Sequence, residues 1–117
     1  MAIFHVTEGE TWAAAARAGS YRMSTRGATL DEVGFIHAST QEQLPAVAGF
    51  LYSDASESLV VLELDDEAIT TAGVPLRWED GGDGELFPHI YGAIDPAWVV
   101  AVSPAGFDER GRFGWSG

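Results

Sequence analysis

Hydrophobic and polar positions divide this chain into short strands and two longer helical stretches. Residues 3–7 open on Ile3 and Phe4 and predict a strand. Residues 8–18, rich in alanine, predict a helix that Gly19 stops. Residues 19–27 read as a loop holding Tyr21 and two arginines. The spacing Thr29-x-x-Glu32 is that of a capping box and predicts one or two helical turns. Residues 34–39 form a second strand, with Phe35, His37 and Ser39 on one face and Ile36 and Ala38 on the other.

A second capping box, Thr40-x-x-Gln43, opens a helix reaching Tyr52, and Pro45 moves its expected start toward Leu44. Residues 59–64 (Leu-Val-Val-Leu-Glu-Leu) are the clearest buried strand. Residues 76–79 and 87–91 read as shorter strands around a glycine-rich turn. Asp95-Pro96 starts a helical turn, residues 98–102 form a last strand, and the tail, residues 103–117, reads as loose. Short strands mixed with two helices, without strict βαβ alternation, predict an α+β fold. A chain of 117 residues has room for one core, so residues 1–117 are expected to be a single domain.

Composition changes the picture chiefly by exclusion. A hydrophobic fraction of 46% predicts a folded chain rather than a disordered one. No apolar run approaches the roughly 18 residues of a membrane helix, and the N-terminus lacks the pattern of a secretory signal, so a cytoplasmic location is expected. There is no cysteine, which removes a thiolate nucleophile, Cys-type zinc sites and iron–sulfur clusters. There is no lysine, which removes Schiff-base chemistry and a phosphate-loop lysine; codon bias accounts for that absence without invoking function.

The net charge of −12 disfavours RNA or DNA as partner, because nucleic-acid affinity rests largely on phosphate neutralisation. The charge is uneven: residues 1–40 sum to −1 and residues 41–117 to −11. A small anionic ligand would therefore favour the first third, where Arg17, Arg22 and Arg26 lie. For most of the acids, a solvated face is the simpler explanation.

Candidate chemistry centres on His5, His37 and His89, each flanked by apolar residues on a separate predicted strand. Three imidazoles on separate strands suit a ligand or catalytic site, a metal site, or half-buried structural positions. No ligand-like spacing accompanies them, so no metal is expected and a histidine–metal enzyme ranks behind the other readings. The segment Glu79-Asp80-Gly81-Gly82-Asp83-Gly84-Glu85 could offer oxygen ligands to calcium. It lacks EF-hand spacing, and a solvated hairpin turn is the better reading; Glu79, directly after Trp78, is the acid expected to point inward. Neither a dinucleotide fingerprint nor a Gly-x-Ser-x-Gly elbow is present.

The motifs Gly34-Phe35-Ile36-His37-Ala38-Ser39-Thr40-x-x-Gln43 and Leu86-Phe87-Pro88-His89-Ile90-Tyr91-Gly92 resemble those of the family catalogued as domain of unknown function 952. Ile3-Phe4-His5, Trp12, Gly19-Ser20-Tyr21, the strand near Leu62 and Trp78-Glu79 follow its pattern in order, so the resemblance covers roughly residues 3–102. It implies a split, strongly bent mixed or antiparallel sheet with two main helices, as in ADP-ribosyltransferase-like domains. It also implies a cleft for NAD or an ADP-ribose-like nucleotide and a transferase activity. On this reading His5 and Ser39 would bond ribose hydroxyls, and Tyr21 or Tyr91 would stack on a base. His37 or His89 would serve as acid–base group, with Glu79 as a further catalytic member, and Arg22 and Arg26 would pair with a pyrophosphate. Many relatives have cysteine where this chain has Ala38, and the expected late glutamate is not obvious, with His89 in a position to replace it. The alternative is a non-enzymatic module that senses a nucleotide or metabolite or binds a protein.

Overall fold

The computed structural model describes residues 1–116. Strand β1 (Ala2–Glu8) leads into helix α1 (Gly9–Ala18), which ends on Gly19 at φ +80°. The predicted loop after it contains a short strand, β2 (Met23–Thr25), paired with β3 (Ala28–Thr29). Helix α2 (Leu30–Val33) begins on the predicted capping box: Thr29 Oγ1 accepts from the Glu32 amide, and Glu32 accepts from the Thr29 amide. Gly34 then turns the chain at φ +101°, a conformation strained for any side chain, and delivers Phe35 and strand β4 (Ile36–His37).

The second capping box also forms, with Thr40 and Gln43 exchanging side chain-to-amide hydrogen bonds. It closes a turn rather than a helical one, and α3 (Leu44–Tyr52) starts after it with Pro45 in its first turn. Strand β5 (Leu59–Asp65) is followed by α4 (Asp66–Thr71), capped by Asp65, a helix for which the apolar pattern gave no signal. Strands β6 (Leu76–Asp80) and β7 (Leu86–Ile90) form the hairpin around the glycine-rich turn. A 3₁₀ turn, Pro96–Trp98, precedes β8 (Val99–Phe107), which is longer than predicted. The tail is not loose: β9 (Phe113–Trp115) folds back on β8, and Trp115 packs on Phe4. Aromatic residues at two-residue spacing hold this end of the chain.

The fold is α+β with a curled, partly closed sheet. An antiparallel sheet of order β1-β5-β8-β9 meets a second of order β4-β7-β6. The junction is the bridge between Phe4 and Ser39, whose amides and carbonyls exchange two hydrogen bonds of 2.8 Å. Alternation along β1 and β5 serves two cores. Ile3, Leu62 and Leu64 pack with Ile36, Ile90 and Ile94, while Phe4, Val6 and Val61 pack with Leu44, Ala48 and Tyr52 of α3. Among the described residues no helix is long and apolar enough to cross a membrane.

Candidate functional site

The small sheet β4-β7-β6 explains how distant residues meet. Its register sets His37 opposite His89, and Arg77 opposite His89 on the other side. With a side-chain period of two, Ile36 and Ile90 enter the core while His37, His89, Phe87, Arg77 and Glu79 share the other face. His37, His89 and Phe87 of that face, with helix α3 and the hairpin turn, line a cleft of about 660 Å3. His5, His37 and His89 all contribute to its lining, so the three histidines converge.

Their environments differ. His5 is buried, with Nδ1 2.6 Å from the His37 carbonyl oxygen and Nε2 2.7 Å from the Tyr21 hydroxyl. The carbonyl can only accept, so Nδ1 carries the hydrogen and the Tyr21 hydroxyl donates to Nε2. Burial holds the His5 pKa down at about 4, so the ring is neutral. Both nitrogens are engaged, which corrects the expectation that His5 bonds a ribose: it ties β1 to β4 instead.

His37 is half-buried, and neither ring nitrogen hydrogen-bonds another group among the described residues. Burial, with the neighbouring His89, holds its pKa below the ordinary imidazole value. His89 is 5% exposed; its Nδ1 lies 2.8 Å from Glu79 Oε1, to which it donates. Its ring stacks on Phe35 at 4.1 Å and stands edge-on to His37 at 5.1 Å. Glu79 Oε1 also accepts from the Tyr91 hydroxyl at 2.5 Å. These two donors, Tyr91 first, hold the Glu79 carboxyl below its usual pKa. The Arg77 guanidinium covers the Tyr91 ring at 4.7 Å. Glu79 thus turns inward as expected, and Arg77, unremarkable in the sequence, completes the arrangement through strand register.

Ser39 lines the cleft at 2% exposure, and its hydroxyl has no hydrogen-bond partner among the described residues. Four other candidate residues are placed differently from what the sequence suggested. Tyr21 is 1% exposed and packs edge-on to His5 and against Trp12, so its ring has no face free for a base. Tyr91 orients Glu79 rather than opening onto the cleft, with Arg77 over one face of its ring. Arg22 pairs with Asp31 at 2.7 Å on the surface, away from the cleft lining. Arg26 binds Asp54 and the Leu51 carbonyl, each at 2.7 Å; it lies beside the cleft, whose wall includes Thr25 and Leu51, without entering it.

The glycine-rich turn is the hairpin turn the sequence suggested, with Asp80 Oδ1 accepting from the amides of Gly82 and Gly84. It is also a cleft wall, which the sequence did not reveal. A Cβ on Gly81 would stand 2.5 Å from the Phe87 ring, so only glycine lets the turn close on that side chain. Among the described residues no group of three or more His, Cys, Asp or Glu side chains is placed to hold a metal ion.

An α+β chain with a curled sheet and a histidine-lined cleft is the class that this geometry defines. Residues 6–102 match the family described as protein of unknown function (DUF952), and the chain belongs to it. The fold is similar to the crystal structure of protein CC0527 from Caulobacter crescentus, with a TM-score of 0.82 and 26% identity over 97% of this chain and 94% of that one. It is also similar to the solution NMR structure of CC0527, with a TM-score of 0.76 over 95% and 90% of the two chains. No curated protein matches the chain.

Proposed function

We propose that the cleft binds a small molecule and carries out proton transfer on it, with His89 as the acid–base group. The observation behind this is the chain Tyr91–Glu79–His89, in which a carboxylate fixes the Nδ1–H tautomer and leaves Nε2 without a protein partner. Nε2 takes a proton from the ligand, and Glu79 stabilises the imidazolium so formed. His37, edge-on to His89 and held toward the neutral form, is the second imidazole able to accept or return that proton. Ser39 supplies a hydroxyl to orient the ligand. General acid–base groups of this kind contribute about 100- to 10,000-fold to a rate.

A second reading, ADP-ribosyl or related transfer on NAD or an ADP-ribose-like nucleotide, follows from the family resemblance. The observation that favours it is Arg26, whose guanidinium bonds the carbonyl of a cleft residue, Leu51. Its partner Asp54 is exposed, and a surface ion pair of this kind is weak, so a phosphate could take its place.

Titration with NAD, ADP-ribose and adenosine, followed by calorimetry and by the histidine ring C–H resonances, tests both readings. Binding in the cleft should move the His37 and His89 signals well before that of His5. For a ligand so identified, Glu79→Gln should slow turnover by at least about tenfold with binding nearly unchanged. Heat from ADP-ribose but not adenosine would support the nucleotide-transfer reading. Silence from a wide set of small molecules would redirect attention to a protein-binding role.

A further inference from the structure

The charge of the cleft is more specific than its shape. Its acidic lining residues are Asp80, Asp83 and Glu85, and among the described residues no arginine lines it. Arg26, the basic residue beside it, is held by Asp54 at 2.7 Å and Glu57 at 3.7 Å. Two of the imidazoles do not offset the acids: burial favours the neutral form of His5 and His37. The chain as a whole is at −12. An anion entering the cleft therefore meets repulsion, while a cation is drawn in.

The apolar lining points the same way. Phe35 and Phe87 form part of the wall, and Phe50, on α3, lines the mouth while 88% exposed. Phenyl rings attract organic cations through their faces, and an exposed phenylalanine at a cleft mouth is surface that an apolar ligand body would cover. The polar atoms waiting inside are those suited to N–H donors. Ser39, a residue 2% exposed, has a hydroxyl with no hydrogen-bond partner among the described residues. His89 Nε2, on a ring whose Nδ1–H is held by Glu79, presents a lone pair.

We infer that the ligand of this cleft is an organic cation, an amine or ammonium group carried on an aromatic or apolar body. The inference deepens the reading of the cleft as a small-molecule site and rests on it. The ammonium lies toward the hairpin carboxylates and the body lies against the phenyl rings. A hydrogen-bearing group of the ligand faces Ser39 and His89.

Three probes with one body and different charge test this: phenethylamine, 2-phenylethanol and 3-phenylpropionate, titrated while the His37 and His89 ring resonances are followed. The amine should bind at least about tenfold more tightly than the carboxylate, with the alcohol between them, and the preference should shrink as salt is raised. Asp80→Asn, Asp83→Asn and Glu85→Gln together should remove most of the preference. Asn at position 80 keeps the oxygen that accepts from Gly82 and Gly84, so the turn is preserved. Phe50→Ala should weaken all three probes alike. Carboxylate or alcohol binding as well as the amine, with the same resonances moving, would overturn the cation inference and leave the small-molecule reading standing. No movement of those resonances with any of the three probes, or with NAD, ADP-ribose or adenosine, would overturn both.

Discussion

His5 and the pair His37/His89 occupy similar sequence contexts and opposite physical situations. His5 is 4% exposed, and the His37 carbonyl and the Tyr21 hydroxyl engage both of its ring nitrogens. His37 and the Nε2 side of His89 face the cleft with no partner among the described residues. Buried polar atoms are nearly always paired, so the closed arrangement marks a structural fastening, whereas the open one leaves ring nitrogens available at the cleft. A histidine's role is therefore set by what its second nitrogen meets.

The sharpest way to break this comparison is to truncate each ring. His5→Ala should destabilise the fold by about 3 kcal/mol or more, since it opens a cavity and leaves the Tyr21 hydroxyl and the His37 carbonyl without partners. His37→Ala should stay within about 1 kcal/mol, because no hydrogen bond of its ring is lost. Urea denaturation of both variants gives the answer, and equal losses would erase the distinction.

Acid provides a second, slightly smaller effect. The His5 pKa is about 4 in the folded chain against 6.5 ordinarily, so between those values the unfolded chain binds the proton and the folded one does not. Stability should consequently fall as pH drops from 6.5 toward 4 and level off below that, with His5 contributing about 3 kcal/mol at most. Glu79 acts in the same direction at lower pH: its depressed pKa gives stability present above the ordinary carboxyl value and lost as pH falls through the folded one. Denaturation midpoints measured across pH for the wild type and His5→Gln should converge toward pH 4. Parallel curves would mean that His5 is protonated inside the fold.

Tyr21→Phe should produce the smallest change, about 1–2 kcal/mol, by leaving His5 Nε2 as a buried acceptor without a donor. Ligand binding in the cleft should be unaffected, because the Tyr21 ring lies in the core. Loss of binding without loss of stability would place Tyr21 in the site after all, and the thermal midpoint read beside a titration separates the two.

Much of this architecture was legible in the chain. The alternation of residues 34–39 assigned His37 and Ser39 to one face and Ile36 and Ala38 to the other; Ile36 and Ala38 join the core and His37 and Ser39 line the cleft, which Ala38 also touches. Both capping boxes formed, and the strand at residues 59–64 is an inner strand of the large sheet. These features depend on periods of two or four residues and on local hydrogen bonds, which a sequence carries explicitly. The short helix after β5 and the strand in the tail escaped, since each is held by one cap or by packing against distant residues such as Phe4.

The sequence by itself also determined which residue types the chemistry can use: histidine, serine, tyrosine and carboxylate, with no thiol and no lysine amine. Only the tertiary structure decided which of them meet. Strand register set His89 against His37 and brought Glu79 and Arg77 onto the same face. The β1–β4 junction buried His5, and the hairpin turn became an acidic wall because Gly81 admits the Phe87 ring. Arg22 and Arg26 were drawn to carboxylates elsewhere in the chain, since an opposite charge within reach binds a guanidinium whatever its sequence neighbours suggest. These two pairings span 9 and 28 residues along the chain, and the periodicity of a single element holds no record of them.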